Sequence, residues 1–257
     1  MPELEYGLSL YSKLAFVMAF MNFGLAIVIY LGGKSISSRY FALLPLTYAL
    51  WTANHGIMHG IGKSYELQHF LLNNSNYFGI MVVATPFLFS FTFPEEKRPH
   101  RAITWSLIAY FAIMFPLYYF AGNFMVNVTD PLPYEPYWAW EYGKGGILFV
   151  VPFFLLWITS LVNIFSKIKH HSGKIRRNLQ YIFWSFFAGG IVPSIVSVIL
   201  PLMGIHNMSW LSSTCAALWV FILGYSIIKH DQMDVKAVTT ELLVLSAIAI
   251  LFLSLFI

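Results

Sequence analysis

Charged side chains are scarce in this sequence. They make up 10% of its 257 residues, whereas an ordinary soluble domain has about 25%. Hydrophobic residues account for 58%, which excludes an ordinary soluble globular domain and indicates a protein with several membrane spans. The single cysteine, Cys215, excludes a disulfide within the chain.

The interiors of the long apolar runs contain no Asp, Glu, Lys or Arg. Ion-coupled transporters and proton pumps place such residues at mid-membrane, so their absence counts against that class. The seventh run has no lysine, which excludes a retinal Schiff base and hence a rhodopsin. No serine lies in a Gly-x-Ser-x-Gly context. The sequence therefore predicts neither an enzyme nor a bound cofactor.

The apolar runs are long enough to cross a bilayer, whose hydrocarbon core of about 30 Å requires about 20 apolar residues per helix. Residues 1–6 are acidic, whereas a signal peptide begins with a positive region, so the first run is predicted to remain as an anchor. Eight runs qualify: 8–31, 39–61, 67–93, 101–121, 145–166, 178–203, 208–228 and 239–257.

The orientation follows from the lysine and arginine residues in the connections, because the cytoplasmic side of a membrane protein carries an excess of both. Of the 15 such residues, all but three fall on one side when the connections are assigned alternately. The three exceptions are Lys13, Lys63 and Lys144. This split predicts that the amino terminus lies outside and that residues 229–236 lie in the cytosol.

The predicted fold is an all-α membrane protein. A seven-transmembrane bundle with its amino terminus outside covers residues 1–236, and an eighth hydrophobic segment covers residues 237–257. That segment ends within apolar sequence, whereas natural spans usually end in a polar flank, so the chain is expected to be truncated there. The lipid bilayer is the expected surrounding, and no nucleic-acid partner is predicted.

The connection at 122–144 has a different pattern from the runs. Residues 124–129 are β-prone, residues 130–133 form a turn signal, and residues 137–142 alternate in aromatic side chains. This pattern predicts a short β-hairpin that caps the outer mouth of the bundle. An interfacial belt of Trp and Tyr is the alternative.

Motifs in five of the runs together resemble one family. They are Asn22-Phe-Gly-Leu, Ser38-Arg-Tyr-Phe41 with Leu50-Trp51, Phe87-Leu-Phe-Ser-Phe-Thr-Phe-Pro94, Arg176-Arg-Asn-Leu-Gln-Tyr181, and Gly224-Tyr-Ser-Ile-Ile-Lys229-His-Asp-Gln-Met-Asp234. In their order and spacing they resemble the seven-transmembrane amino-terminal sensor region of bacterial histidine kinases. The resemblance covers essentially the whole chain.

The resemblance implies a bacterial or archaeal cytoplasmic membrane and a signal that leaves through the end of the seventh run. The signal-exit residues would be Tyr225, Lys229, Asp231 and Asp234. It also implies a homodimer and a cytosolic kinase or other output domain. This chain contains neither a phosphoacceptor helix pair nor an ATP-binding domain.

His55 and His59 lie four residues apart near the outer end of the second run. This spacing puts both imidazoles on one helical face, as in zinc or copper sites, so a metal-sensing site is one hypothesis. The alternative is a pair of buried histidines that form hydrogen bonds to neighbouring helices. A pH-sensing role is a third option, because imidazoles titrate near neutrality.

A polar cluster at residues 73–77 lies in the outer half of the third run. Polar side chains in a span tend to face the bundle or a cavity, although Asn and Ser also serve as packing contacts between helices. We predict a pocket for a small, partly apolar ligand. The predicted ligand-binding residues are Trp51, Asn54, His55, His59, Asn73, Asn76, Tyr77, Trp138, Trp140 and Glu141.

The predicted function is therefore that of a sensory or receptor module in a signalling protein, which detects a small ligand or membrane signal on the outer side. Two alternatives remain at this stage. One is a small-solute transporter, although the two halves of the chain show no convincing repeat. The other is a metal-responsive membrane protein centred on His55 and His59.

Overall fold

The computed structural model describes residues 10–60, 64–128 and 140–205, together with helical positions at 211–212, 215–216, 219–220 and 223–224. This part of the chain is mostly helical, as predicted. Its long helices are α1 (Leu10–Gly32), α2 (Ile36–Gly60), α3 (Tyr65–Thr92), α4 (Arg101–Phe120), α5 (Ile147–His170) and α6 (Gly173–Ser194).

Five helical stretches in the described residues are long and apolar enough to cross a membrane: Tyr11–Gly32, Tyr65–Thr92, Arg101–Phe120, Lys144–His170 and Gly173–Leu202. This finding confirms the multi-pass membrane character. Seven spans and the orientation stay predictions, since the eighth run and part of the seventh lie outside the described residues. The second run forms α2 but is less apolar, because α2 carries buried Thr47, Thr52, Asn54 and His55.

The helices pack in a regular succession. The most extensive contacts between helices are those of α1 with α2, followed by those of α2 with α3, α3 with α5, and α5 with α6. α4 lies at the periphery against α3, and only Met114 and Tyr118 are buried among its side chains. The apolar outer face of α4 is the expected surface of a helix that faces lipid.

The predicted hairpin is present. Strand β1 (Val126–Val128) pairs antiparallel with β2 (Trp140–Tyr142), with Val126 opposite Tyr142 and Val128 opposite Trp140. The two valines and Trp140 are buried in a cluster with side chains of α3 and α5. The hairpin therefore packs onto the bundle, at what we call its hairpin end.

α6 does not end as a regular helix. Its last turn contains Pro193, and the chain then forms a π-helical turn, Ile195–Ile199, and one more helical turn, Leu200–Leu202. A proline in a helix removes a backbone donor and breaks the regular hydrogen-bond ladder, and such turns occur often at functional sites. We call residues 193–199 the α6 break.

Candidate functional site

A hydrogen-bond network connects α2 to α3 near the hairpin end. Trp51 and His55 lie one helical turn apart on α2, and both reach the hydroxyl of Ser75 on α3. Trp51 Nε1 donates to Ser75 Oγ at 3.0 Å, and His55 Nε2 lies 2.6 Å from the same oxygen. The indole N–H is only a donor. Ser75 therefore accepts from Trp51, and because its hydroxyl has a second lone pair as well as a proton, it can either accept from His55 Nε2 or donate to it.

The contact is compatible with either tautomer of His55, because a neutral imidazole has one donor and one acceptor nitrogen. His55 is only 3% exposed, and its Nδ1 has no hydrogen-bond partner among the described residues. A buried polar nitrogen without a partner is costly. The site is thus suited to a molecule that offers His55 Nδ1 a hydrogen-bond partner.

His55 lines a cavity that is walled mainly by aromatic side chains. The space open to water centres is about 20 Å³, which is room for about one water molecule. The side chain of Asn76 also lines it. The residues around the cavity are Trp51, His55, Met58, Leu72, Ser75, Asn76, Gly79, Trp140, Phe149, Phe153, Pro193 and Ser197.

The cavity adjoins a second space deeper in the bundle. Phe153 and Pro193 line both. The second space has a volume of about 30 Å³ for water centres and extends to Trp219, Val220 and Leu223. The α6 break therefore lies between the cavity beside His55 and the helical residues of the seventh run.

Four of the predicted ligand-binding residues line the same cavity: Trp51, His55, Asn76 and Trp140. Asn54 and Asn73 take part in packing contacts instead. Asn54 Nδ2 donates to the Leu71 carbonyl at 2.9 Å, and Asn73 Nδ2 donates to the His69 carbonyl at 3.0 Å. These two amides therefore fit the alternative interpretation, in which polar side chains form packing contacts between or within helices.

The other predicted ligand-binding residues lie elsewhere. The ring of His59 packs edge-on against Tyr11 at 4.9 Å, and Tyr77 lies in an aromatic group on the α4 side. Glu141 is exposed and accepts a hydrogen bond from Asn127 Nδ2 at 2.9 Å. Trp138 and the predicted exit residues Tyr225, Lys229, Asp231 and Asp234 lie outside the described residues.

The two histidines of the metal hypothesis have ring centroids 6.0 Å apart. His55 already uses Nε2 for the contact with Ser75. Within the described part of the chain, no group of three or more His, Cys, Asp or Glu side chains could hold a metal ion. The metal site stays a prediction with at most two ligands on α2.

Several residues of the site were not predicted. Phe149 and Phe153 line the cavity from α5, and Pro193 lines it from α6. The four-residue spacing of the two phenylalanines gave a signal for a common helical face, and Pro193 after two glycines gave a signal for a break. Neither signal identified the helices against which these three residues pack.

Comparisons with known proteins identify no family for this chain. No family model matches it, and no curated protein is significantly similar to it. The resemblance to histidine-kinase sensor regions therefore stays a prediction from the motifs, and the functional argument rests on the geometry of the site.

Proposed function

We propose that this chain is the membrane-embedded sensory module of a signalling protein of the histidine-kinase type. A small ligand would enter from the outer side, bind in the cavity beside His55, and change the packing of α6. The change would pass through the seventh helix to a cytosolic output domain. The observation that carries the proposal is the cavity itself, because it contacts the hairpin through Trp140 and the α6 break through Pro193 and Ser197.

The contacts of the α6 break support the transmission step. Ser197 Oγ donates to Ser212 Oγ at 2.6 Å, and the Tyr142 hydroxyl donates to the Ser197 carbonyl at 2.9 Å. A displacement of residue 197 would therefore affect both the hairpin and the helical position at Ser212. The second space, which reaches Trp219, offers room for that helix to shift.

The cavity also limits the chemistry of the ligand. No Asp, Glu, Lys or Arg lines it, and an ion without a counter-charge would pay a large desolvation cost there. His55 Nδ1 favours a ligand that can form a hydrogen bond with it, and the Asn76 amide offers both a donor and an acceptor. We therefore propose a small neutral molecule that carries a carbonyl or hydroxyl oxygen.

The ligand must also bind more tightly to a packing of the helices that differs from the one in this structure. The present space holds about one water molecule, so a larger ligand binds only when the helices separate. That difference in affinity is what shifts a conformational equilibrium. Filling the cavity with a side chain should have a similar effect on α6 without any ligand.

The effect of filling the cavity can be measured through the single thiol of the chain, Cys215. It is partly buried in a helical part of the seventh run, so its reaction rate with a maleimide reports on the packing of that helix. Gly79→Leu places a large side chain in the cavity, where even a Cβ would lie 3.3 Å from Phe149. Ala112→Leu on the exposed face of α4 is the matched control.

We expect Gly79→Leu to change the labelling rate of Cys215 several-fold and Ala112→Leu to leave it unchanged. Equal rates in all three proteins, with melting temperatures preserved, would contradict the coupling between the cavity and the seventh helix. The gene sequence past the codon for Ile257 tests the output step. A phosphoacceptor helix followed by an ATP-binding domain is expected, and a stop codon would favour a transporter or a partner-dependent receptor.

A further inference from the structure

A second concave surface lies on an exposed side of α1 and α2. It is an apolar groove with about 360 Å³ open to water centres, far more than the cavity beside His55 has. No charged side chain lines it. Its walls include Phe23, Ile27 and Leu31 of α1, and Ala42, Leu43 and Leu46 of α2. We call it the α1–α2 groove.

Two positively charged side chains lie at one end of the α1–α2 groove. Arg39 precedes Leu43 by four residues, so both lie on the same face of α2. Lys34 follows Leu31 by three residues, in the turn between the helices. Both cations are exposed, and no carboxylate of the described residues forms an ion pair with either.

A nearby acidic residue, in the connection between α3 and α4, has another contact. Glu96 accepts a hydrogen bond from the backbone N–H of Ser37 at 3.0 Å, at the start of α2. Its single negative charge leaves the end of the groove with an excess of positive charge. The exposed phenol of Tyr30, which also lines the groove, has the amphipathic character typical of the headgroup level.

We propose that the α1–α2 groove binds an anionic phospholipid, with one acyl chain in the groove and its phosphate against Lys34 and Arg39. The apolar groove accepts an acyl chain of any lipid. The two cations add selectivity, since each lysine or arginine near the surface strengthens the binding of anionic lipid. The inference is independent of the ligand proposed for the cavity.

The test is a titration of the full chain in detergent micelles with phosphatidylglycerol, in competition with phosphatidylcholine, with bound lipid measured by native mass spectrometry. Lys34→Gln alone should weaken phosphatidylglycerol binding about 5-fold, and Lys34→Gln with Arg39→Gln about 30-fold. The matched control is Lys174→Gln with Arg177→Gln. It removes the same charge from exposed positions at the start of α6.

The groove itself is tested by Ile27→Trp, which enlarges an exposed side chain of its wall, against Ile108→Trp at a similarly exposed position of α4. Ile27→Trp should lower the binding of both lipids, whereas Ile108→Trp should lower neither. Equal weakening in the two glutamine pairs would show a general attraction to the surface and would overturn the site. Unchanged lipid binding in Ile27→Trp would also overturn it.

Discussion

The imidazole of His55 lies 2.6 Å, through its Nε2, from the hydroxyl oxygen of Ser75. This contact connects α2 to α3 within an otherwise apolar region, and the same oxygen accepts from Trp51 Nε1. Ser75 is therefore the hydrogen-bond partner of two large side chains. Its removal leaves two buried polar atoms without a partner.

Ser75→Ala should destabilise the bundle by about 1–2 kcal/mol, because the buried side chains of Trp51 and His55 both lose their partner. Ser75→Thr keeps the hydroxyl and should cost less. The measurement is the melting temperature in detergent. Ser106→Ala on the exposed face of α4 is the control. Equal melting temperatures for Ser75→Ala and Ser106→Ala would show that the network contributes no stability.

The helices and the hairpin could be predicted from the sequence because both depend on local properties. The second run, 39–61, corresponds to α2 at Ile36–Gly60, since the length of an apolar stretch determines where a membrane helix can lie. The hairpin followed from β-prone residues on both sides of a turn signal. Its strands lie within the predicted stretches at 124–129 and 137–142.

The site could be predicted only in part, because a cavity depends on which helices meet. The polar cluster on α3 identified the correct region but did not distinguish Asn76, which lines the cavity, from Asn73, which bonds to the His69 carbonyl one turn away. Both residues are polar and lie on one short stretch. A difference of three residues along the helix decides between them, and only the packing of α5 and α6 shows the result.

Gly190→Ala should destabilise the packing of α5 against α6. A Cβ at this position would overlap the indole of Trp157, whose Nε1 donates to the Phe186 carbonyl at 3.1 Å. We expect a cost of about 1–3 kcal/mol, which is typical of overpacking. Gly79→Ala is the matched variant, since its Cβ would meet Phe149 at a more tolerable 3.3 Å.

A double variant tests the cause of that cost. If the overlap with the indole is responsible, Trp157→Phe should recover part of the stability lost in Gly190→Ala, because the smaller ring leaves room for the methyl group. The measurement is a double-mutant cycle of melting temperatures. Purely additive effects would contradict the assigned clash.

Lys167 connects α5 to the end of α3 by two contacts of different strength. Its Nζ donates to the Phe93 carbonyl at 2.6 Å and forms an ion pair with Glu95. The ion pair is partly exposed, so Glu95→Gln should cost at most about 1 kcal/mol and less at high salt. Lys167→Met should cost more, because the Phe93 carbonyl also loses its partner.

A charge reversal separates the two contacts of Lys167. Lys167→Glu combined with Glu95→Lys restores an ion pair but not the hydrogen bond to the Phe93 carbonyl. The reversed protein should therefore remain less stable than the unaltered chain in thermal unfolding. Lys174→Met, on an exposed lysine, controls for the loss of one positive charge. Full recovery by the reversal would show that the carbonyl contact is not important.

The buried phenol of Tyr142 should make the protein sensitive to high pH. It donates to the Ser197 carbonyl at 2.9 Å, and burial raises the pKa of Tyr142 well above its ordinary value of 10.0. A pKa that is higher in the folded state than in the unfolded one leaves stability unaffected below about pH 10. Above that pH the unfolded state loses the proton first, and stability falls by up to about 1.4 kcal/mol per pH unit.

Tyr142→Phe should therefore have two effects on thermal unfolding. Below pH 10 it should lower the melting temperature, because the hairpin loses its hydrogen bond to the α6 break. Above pH 10 the difference from the unaltered chain should shrink, since the phenylalanine has no proton to lose. The control is Tyr181→Phe, which removes a phenol that is 61% exposed. If the two variants showed the same pH profile, the Tyr142 phenol would not couple the hairpin to α6, and the proposed route from the cavity would lose its outer contact.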